Sequence, residues 1–398
     1  MKILVHDFAG HPFQAELSRE LASRGHEVTH AWFAGDTGPK GRLRKLDQDP
    51  DTLQFQPIGA GIDYSKTNFL KRRRGDIAYG RQAAQLIRTI KPNVVISGNT
   101  PTEAQEPIVA VSRRLRMPFI YWCQDFYSIA ASRLLEKKIP IIGNIIGGYY
   151  RRLERRQMQA STRILHITEA FCEQTDKWGI QREKVDIFPN WGALDEISLG
   201  RRDNEWSKAK GLDRGTRFLY SGTLAMKHNP VLLTELANSL EGQDEVILVS
   251  AGIGADFLSD KVEKGEITGL RILPLQPFEV FSDVLASGDV LLAVIEREAG
   301  AFSVPSKILS YLCAGRPIVL AAPSDNLAAQ MLREIGAGIV VEPDDIDGFV
   351  NAAHAFRSDQ VKAENAGCAG RSYAEGNFEL SKVADRFEKL LHSAIDET

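Results

Sequence analysis

The residues of this chain best suited to chemistry are lysines that stand beside turns carrying proline or glycine. In Val304-Pro305-Ser306-Lys307-Ile308-Leu309-Ser310-Tyr311-Leu312-Cys313-Ala314-Gly315-Arg316-Pro317 the spacing predicts a loop, an amphipathic helix and a glycine stop. Proline suits the first helical turn, where no backbone N–H bond is lost. Gly315 ends the helix, Pro317 bars its continuation, and Ile318 to Ala321 reads as a buried strand. Ser303, Val304, Pro305, Ser306 and Lys307 therefore fall where unpaired N–H groups and the helix dipole favour an anion. A lysine at that point suits a phosphate ligand. A second such place is Ser221-Gly222-Thr223, followed by Lys227. Glycine lets the backbone approach an oxygen closely, and lysine brings a mobile positive charge. The plainer reading of Lys227 is a solvated loop lysine.

Elements of one kind must hold these loops. Apolar runs at Ile3–Val5, Val28–Phe33, Val94–Ser97, Phe119–Trp122, Ile164–Ile167 and Val185–Phe188 alternate with helical patterns at Phe13–Arg24, Tyr79–Ile90 and Thr102–Leu115. The theme repeats with runs at Arg217–Tyr220, Val246–Ser250, Leu270–Leu273, Val290–Val294, Ile318–Ala321 and Ile339–Val341. Such alternation predicts an α/β chain of two doubly wound, Rossmann-like domains with parallel sheets. Ligands then sit at the carboxyl ends of the strands, in the interdomain cleft. Pro189-Asn190-Trp191-Gly192 and the aperiodic stretch to Arg214 mark a hinge. The expected domains are 1–192 and 193–377, with a helix in 378–398 packing back on the first.

With a net charge of −3, nothing global points to nucleic acid. Cys123, Cys172, Cys313 and Cys368 are far apart and form no C-x-x-C pair, which argues against a disulfide framework or a zinc site. The chain opens on a strand and holds no run of 18 apolar residues, so a cytoplasmic protein is expected.

Taken in order, several segments resemble the retaining, nucleotide-sugar-dependent glycosyltransferases of family 4, which have the GT-B fold. They are the opening strand with Gly10, Leu21-Ala-Ser-Arg-Gly-His-Glu-Val28, Pro189-Asn-Trp191, Tyr220 to Asn229, and Pro305-Ser-Lys307 through Gly315-Arg-Pro317. The nearest likeness is to bacterial enzymes of surface polysaccharides such as O-antigen, capsule or colanic acid. The resemblance implies that the second domain holds a nucleotide-sugar donor, with UDP-sugar as the expected class. It implies transfer to a saccharide or polyprenyl-diphosphate-linked acceptor, with no separate cofactor and no metal. Lys227 and Lys307 would neutralise the diphosphate. Backbone groups at Leu275 and Gln276 would read the base, although a plain strand-to-helix turn explains them equally well. The family pattern often has arginine after the glycine, where this chain has Thr223. It often has two glutamates where this chain has Phe302 and Ser310; Ser310 is a weak substitute toward ribose, and Glu296 or Glu298 are alternatives.

On the acceptor side the resemblance implies Gly10-His11-Pro12 near the diphosphate and Asp125 orienting hydroxyls. The family commonly has His-Asp where this chain has Gln124-Asp125, so no histidine base is assigned there. Asp125 as a helix cap is the alternative. His11 is as readily a cap or surface residue, and Asn99 and Thr100 are second-rank candidates. Asp49-Pro-Asp51 has the D-x-D spacing of metal-dependent transferases, but it falls in a polar loop expected to be exposed. Lys71-Arg-Arg-Arg74 beside Phe69 and Leu70, and Lys137 to Arg156 around an apolar, glycine-broken centre, suit peripheral contact with the inner face of the cytoplasmic membrane. Two alternatives stand beside this reading: a sugar-nucleotide 2-epimerase of the same fold, and a non-catalytic nucleotide-sugar-binding relic.

Overall fold

A computed structural model describes residues 1–35, 40–65, 68–296 and 306–397, apart from the side chains of Leu134, Lys137, Lys138 and Pro140. The chain divides into two units, 1–189 with 380–398, and 190–379. The first unit holds β1 (Lys2–Asp7), β2 (Glu27–Phe33), β3 (Leu53–Ile58), β4 (Val94–Gly98), β5 (Phe119–Cys123), β6 (Arg163–His166) and β7 (Val185–Ile187). All are parallel, in the order β3-β2-β1-β4-β5-β6-β7. The second holds β8 (Arg217–Ser221), β9 (Glu245–Val249), β10 (Leu270–Leu273), β11 (Val290–Val294), β12 (Ile318–Ala321) and β13 (Gly338–Val341), parallel in the order β10-β9-β8-β11-β12-β13.

The central strands β4, β5, β8, β11 and β12 are buried at every residue, as expected where helices cover both faces of a parallel sheet. Each sheet reverses its strand order once, between β1 and β4 and between β8 and β11. At such a reversal the loops leaving the carboxyl ends run to opposite faces and leave a crevice. Gly10 follows β1, Gly222 follows β8, and Glu296 lies just beyond β11.

Three elements differ from the sequence reading. β3 lies at an edge, where Pro57 breaks no central ladder, and its polar Gln54 and Gln56 hid the strand. The helix expected from Tyr79 begins ten residues earlier, at Phe69, where the Asn68 side chain accepts the Lys71 N–H at 3.0 Å. The stretch 199–214, taken as part of a hinge, belongs to the second unit. Its charges find partners there: Arg202 pairs with Asp289 at 2.8 Å, and Asp203 with the fully buried Arg217 at 2.7 Å.

The closing helix Leu380–Asp396 belongs to the first unit. Its Phe387 ring packs on Trp122 and Phe188, and Arg24 of the first helix (Pro12–Ser23 with its C-cap) pairs with Asp385 and Glu388 at 2.6 and 2.7 Å. Among the described residues no helix is long and apolar enough to cross a membrane.

Candidate functional site

In the second unit, β8 ends at Ser221 and the chain turns at Gly222, whose φ of +121° few side chains tolerate. The turn is pinned on both sides. Gly222 donates its N–H to the Val249 carbonyl at 3.0 Å, and its own carbonyl accepts from the Ser250 hydroxyl at 2.7 Å. The helix Ser306–Ala314 is fastened to the same point by Tyr311. The buried Tyr311 hydroxyl accepts the Ser221 N–H at 2.9 Å and donates to the Leu292 carbonyl at 3.2 Å. One hydroxyl thus holds the start of this helix against both strands that flank the reversal.

Lys307 is presented by that arrangement. Its Nζ stands 3.3 Å from the centroid of the Tyr220 ring, and a Cβ on Gly222 would be 3.1 Å from its Cε. The residue surface is only partly covered, yet protein surrounds the ammonium closely enough that burial pushes its pKa well below the ordinary lysine value. Among the described residues no carboxylate lies within ion-pair distance of it. Lys227 is the more exposed of the two lysines and pairs with Glu296 at 2.5 Å. Between them lies His228, lowered to about 4 by burial and then by the charges of Lys307 and Lys227. Two cations and a helix start therefore converge at the carboxyl edge of the sheet. Ser306 opens the helix and is exposed, Ser310 is half-buried one turn on, and the Thr223 carbonyl accepts from the Tyr220 hydroxyl at 3.0 Å. Leu275 and Gln276 follow β10, but the Gln276 side chain is already committed: it accepts from Trp206 Nε1 at 3.0 Å and donates to the Pro274 carbonyl at 2.7 Å. Ser303, Val304, Pro305, Phe302 and Glu298 lie outside the described residues.

In the first unit, the carboxyl ends of β1 and β4 bring together Asp7, His11 and Asn99. Asp7 is fully buried and accepts from the backbone N–H and the Nδ1 of His11, and from the Ala9 N–H at 3.2 Å. Burial alone would raise its carboxyl; the charge of His11 and these bonds outweigh it, and the net shift is downward. Asn99 has a left-handed φ of 51° and sets its amide 3.0 Å from His11 Nδ1. His11 occupies the cap position of the first helix but makes no side-chain cap there. Gly10, φ +75°, precedes it, and a Cβ would stand 2.7 Å from Leu43 Cδ1. Thr100 turns inward, donating to the Gly98 carbonyl at 2.8 Å. Asp125 follows β5, exposed, and accepts the Phe126 N–H at 2.8 Å; its surroundings still raise its carboxyl, chiefly by desolvation. The helix Tyr127–Lys138 has Phe126 at its cap position, so Asp125 is not its cap.

Asp49 was expected in an exposed loop and is instead buried. Its carboxylate takes Arg19 Nε at 3.1 Å and the Leu46 N–H at 2.8 Å, while the exposed Asp51 pairs with Lys45 at 2.7 Å. The D-x-D spacing is used to fold the loop. Sequence reasoning missed Asp7 and Tyr311. A carboxylate ending an otherwise apolar strand, and a lone hydroxyl on the apolar side of a helix, were the available signals.

Comparison with known proteins agrees with the fold. A family model for a glycosyl transferase 4-like domain matches residues 10–191. WcaI of Escherichia coli strain K12, whose name assigns it to colanic acid biosynthesis as a glycosyl transferase, is 23% identical over 239 residues. That match takes in 59% of this chain, and the chain spans 58% of the length of that curated relative. Among solved structures, HepE of Anabaena in complex with UDP and glucose superposes with a TM-score of 0.70 at 17% identity, covering 99% of this chain and 100% of that one. Sucrose-phosphate synthase of Thermosynechococcus elongatus gives a TM-score of 0.74 at 12% identity, with 100% of both chains covered. Residues 10–191 thus resemble a glycosyl transferase 4-like domain, and the whole chain has the GT-B fold of these solved structures.

Proposed function

We propose that this protein is a retaining glycosyltransferase that moves a sugar from a nucleoside diphosphate sugar, of the UDP class, to a saccharide or lipid-linked saccharide acceptor of a surface polysaccharide. The observation that carries the reading is the Lys307 ammonium, held against Tyr220 beside Gly222 with no carboxylate partner among the described residues. An enclosed cation of this kind favours a polyanionic ligand. Lys227 adds a second charge once it leaves Glu296, and N–H groups from Ser306 onward add the helix start. The complex of HepE with UDP and glucose, and the WcaI name, supply the donor and pathway class by analogy.

In this mechanism the bond between the anomeric carbon and the diphosphate oxygen breaks while the acceptor hydroxyl attacks from the same face. The departing phosphate oxygen takes the acceptor proton, so no side-chain base is required. The protein's task is to stabilise charge on the leaving diphosphate and to orient both substrates. Lys227 and Lys307 neutralise the leaving group without a metal; Asp125, with His11 held by Asp7, orients hydroxyls on the acceptor side.

Titration of uridine, guanosine, adenosine and cytidine diphosphates by calorimetry tests the reading. One nucleotide, expected to be the uridine one, should bind, and its sugar conjugate should be consumed only when an acceptor is present. Conversion of the free sugar nucleotide without an acceptor would mark an epimerase. Tight binding with no turnover on any acceptor would mark a relic.

Gly222→Ala tests the turn through both stability and binding. Its φ of +121° and the 3.1 Å approach to Lys307 Cε leave little room for a methyl group. A stability loss of about 1–3 kcal/mol is expected from the strained backbone, with weakened diphosphate binding as Lys307 shifts. Thermal melts and the same titration check both; unchanged affinity would move the diphosphate away from this turn.

A further inference from the structure

We infer that the first unit docks on an anionic lipid surface through the amino-terminal half of the helix Pro140–Ala160 and the start of the helix Phe69–Ile90. The reasoning begins with glycine. A Cβ on Gly143 would stand 2.3 Å from the Leu135 carbonyl oxygen, and one on Gly147 would stand 2.7 Å from Ser132 Oγ. These two glycines, four apart, let the helix lie against the preceding helix Tyr127–Lys138. Tyr150, Leu153, Glu154, Gln157 and Met158 continue the same buried side. The residues that read as breaks in an apolar run are its packing face.

The opposite face is apolar at one end and basic at the other. Ile141 is 81% exposed and Ile145 71%, and they share a helical stripe with Arg152 and Arg155, both exposed. At 1.5 Å per residue, Arg152 lies about 10 Å beyond Ile145. The second helix repeats the arrangement: Leu70 is 66% exposed, and Arg74 follows one turn later. The two lie near each other, because the Phe69 ring meets Tyr150 at 6.4 Å, and Arg73 and the Tyr149 hydroxyl share Glu103.

Much of the basic run is spent inside the protein. Lys71 pairs with Asp63, Arg73 with Glu103, Arg151 with Glu136, and Arg156 with Glu106. Arg74, Arg152 and Arg155 have no ion-pair partner among the described residues, and they stand on the stripes that carry the exposed apolar side chains. Unpaired positive charge bordering isoleucine and leucine complements a negatively charged leaflet, where each arginine strengthens binding about fivefold.

The test uses the full chain without nucleotide, so its outcome is independent of the transferase reading. Co-sedimentation is measured with phosphatidylcholine vesicles, with and without phosphatidylglycerol. Wild type should bind the anionic vesicles and release them at high salt. Ile141→Ser with Ile145→Ser should weaken binding at least about tenfold with an unchanged melting temperature, since both side chains are exposed. Arg152→Ala with Arg155→Ala should weaken binding to the anionic vesicles about 30-fold. Absence of wild-type binding, or binding indifferent to the isoleucine pair, overturns the inference. A concentration-dependent dimer that the isoleucine pair abolishes would assign the face to a second copy of the chain and equally overturn it.

Discussion

Lys307→Ala is expected to weaken nucleoside diphosphate binding by about 10- to 150-fold while leaving the free protein at least as stable as the wild type. The first half follows from the loss of a charge-assisted bond of about 1.5–3 kcal/mol in an enclosed site. The second follows from the environment of the ammonium. Burial holds its pKa well below the ordinary lysine value, so carrying the charge in the empty site costs free energy. The Tyr220 face, 3.3 Å away, returns only about 0.5–2 kcal/mol. Removing the amine relieves the desolvation and gives up that contact, and the two effects oppose each other. The sign of the pH effect follows. The folded-state pKa is depressed, so the burial penalty is fully present below the lowered value, falls as pH rises past it and is gone above the ordinary lysine value. Diphosphate binding runs the other way, because a polyanion favours the ammonium and raises its pKa. Calorimetric titration at several pH values should therefore show wild-type affinity falling as pH rises, with that fall reduced in Lys307→Ala. An affinity within twofold of wild type, or the same pH dependence of affinity in both proteins, would remove Lys307 from the diphosphate site.

The reach of the sequence reading can be judged from this same corner. Pro305-Ser-Lys through Gly315-Arg-Pro announced a helix, its stop and the strand behind it, because each boundary is a local property of proline and glycine. All six strands of the second unit were readable because the central ones are continuous apolar runs and the half-buried edge strands β10 and β13 are also largely apolar. β3 was not, because an edge strand solvates one side and carries glutamines there. What the sequence could not express was who meets whom. Tyr311 reads as one more apolar position until β8 and β11 are seen side by side. Asp7 and Asn99 lie 92 residues apart and meet only because β1 and β4 are neighbours across the reversal. Likewise Asp49 looked solvated because its partner Arg19 comes from another element. Pairing across a parallel sheet is set by topology, and local composition carries little of it.

Glu154→Gln should stabilise the protein at pH 8 by about 3 kcal/mol and leave it nearly unchanged at pH 4, with the difference developing between those values. Glu154 is fully buried beneath the loop that carries Asp125. It accepts from the Ser128 hydroxyl at 2.6 Å, the Ser128 N–H at 3.2 Å and the Tyr121 hydroxyl at 3.3 Å. Desolvation outweighs these donors and lifts its pKa from the ordinary 4.5 to about 7. A folded-state value above the unfolded one means the carboxyl's contribution is fully present below about 4.5 and is lost as pH rises through about 7. A shift of that size corresponds to about 3 kcal/mol. Glutamine keeps the shape, accepts from Ser128 through Oε1 and turns its amide toward the Tyr121 oxygen, so it mimics the protonated acid. Other buried groups titrate in the same range. Asp76 is raised to about 7 by burial, while His6, lowered to about 4 by burial, acts in the opposite sense. Subtracting wild type from variant at each pH cancels them, since neither touches Glu154. Urea melts of both proteins from pH 4 to 8 give that difference curve. A flat curve would mean that Glu154 titrates in the folded protein as it does in the unfolded chain. A curve rising toward pH 8 would establish a neutral carboxyl behind the loop that carries Asp125 at the acidic end, holding Ser128 and β5 in place until it ionises.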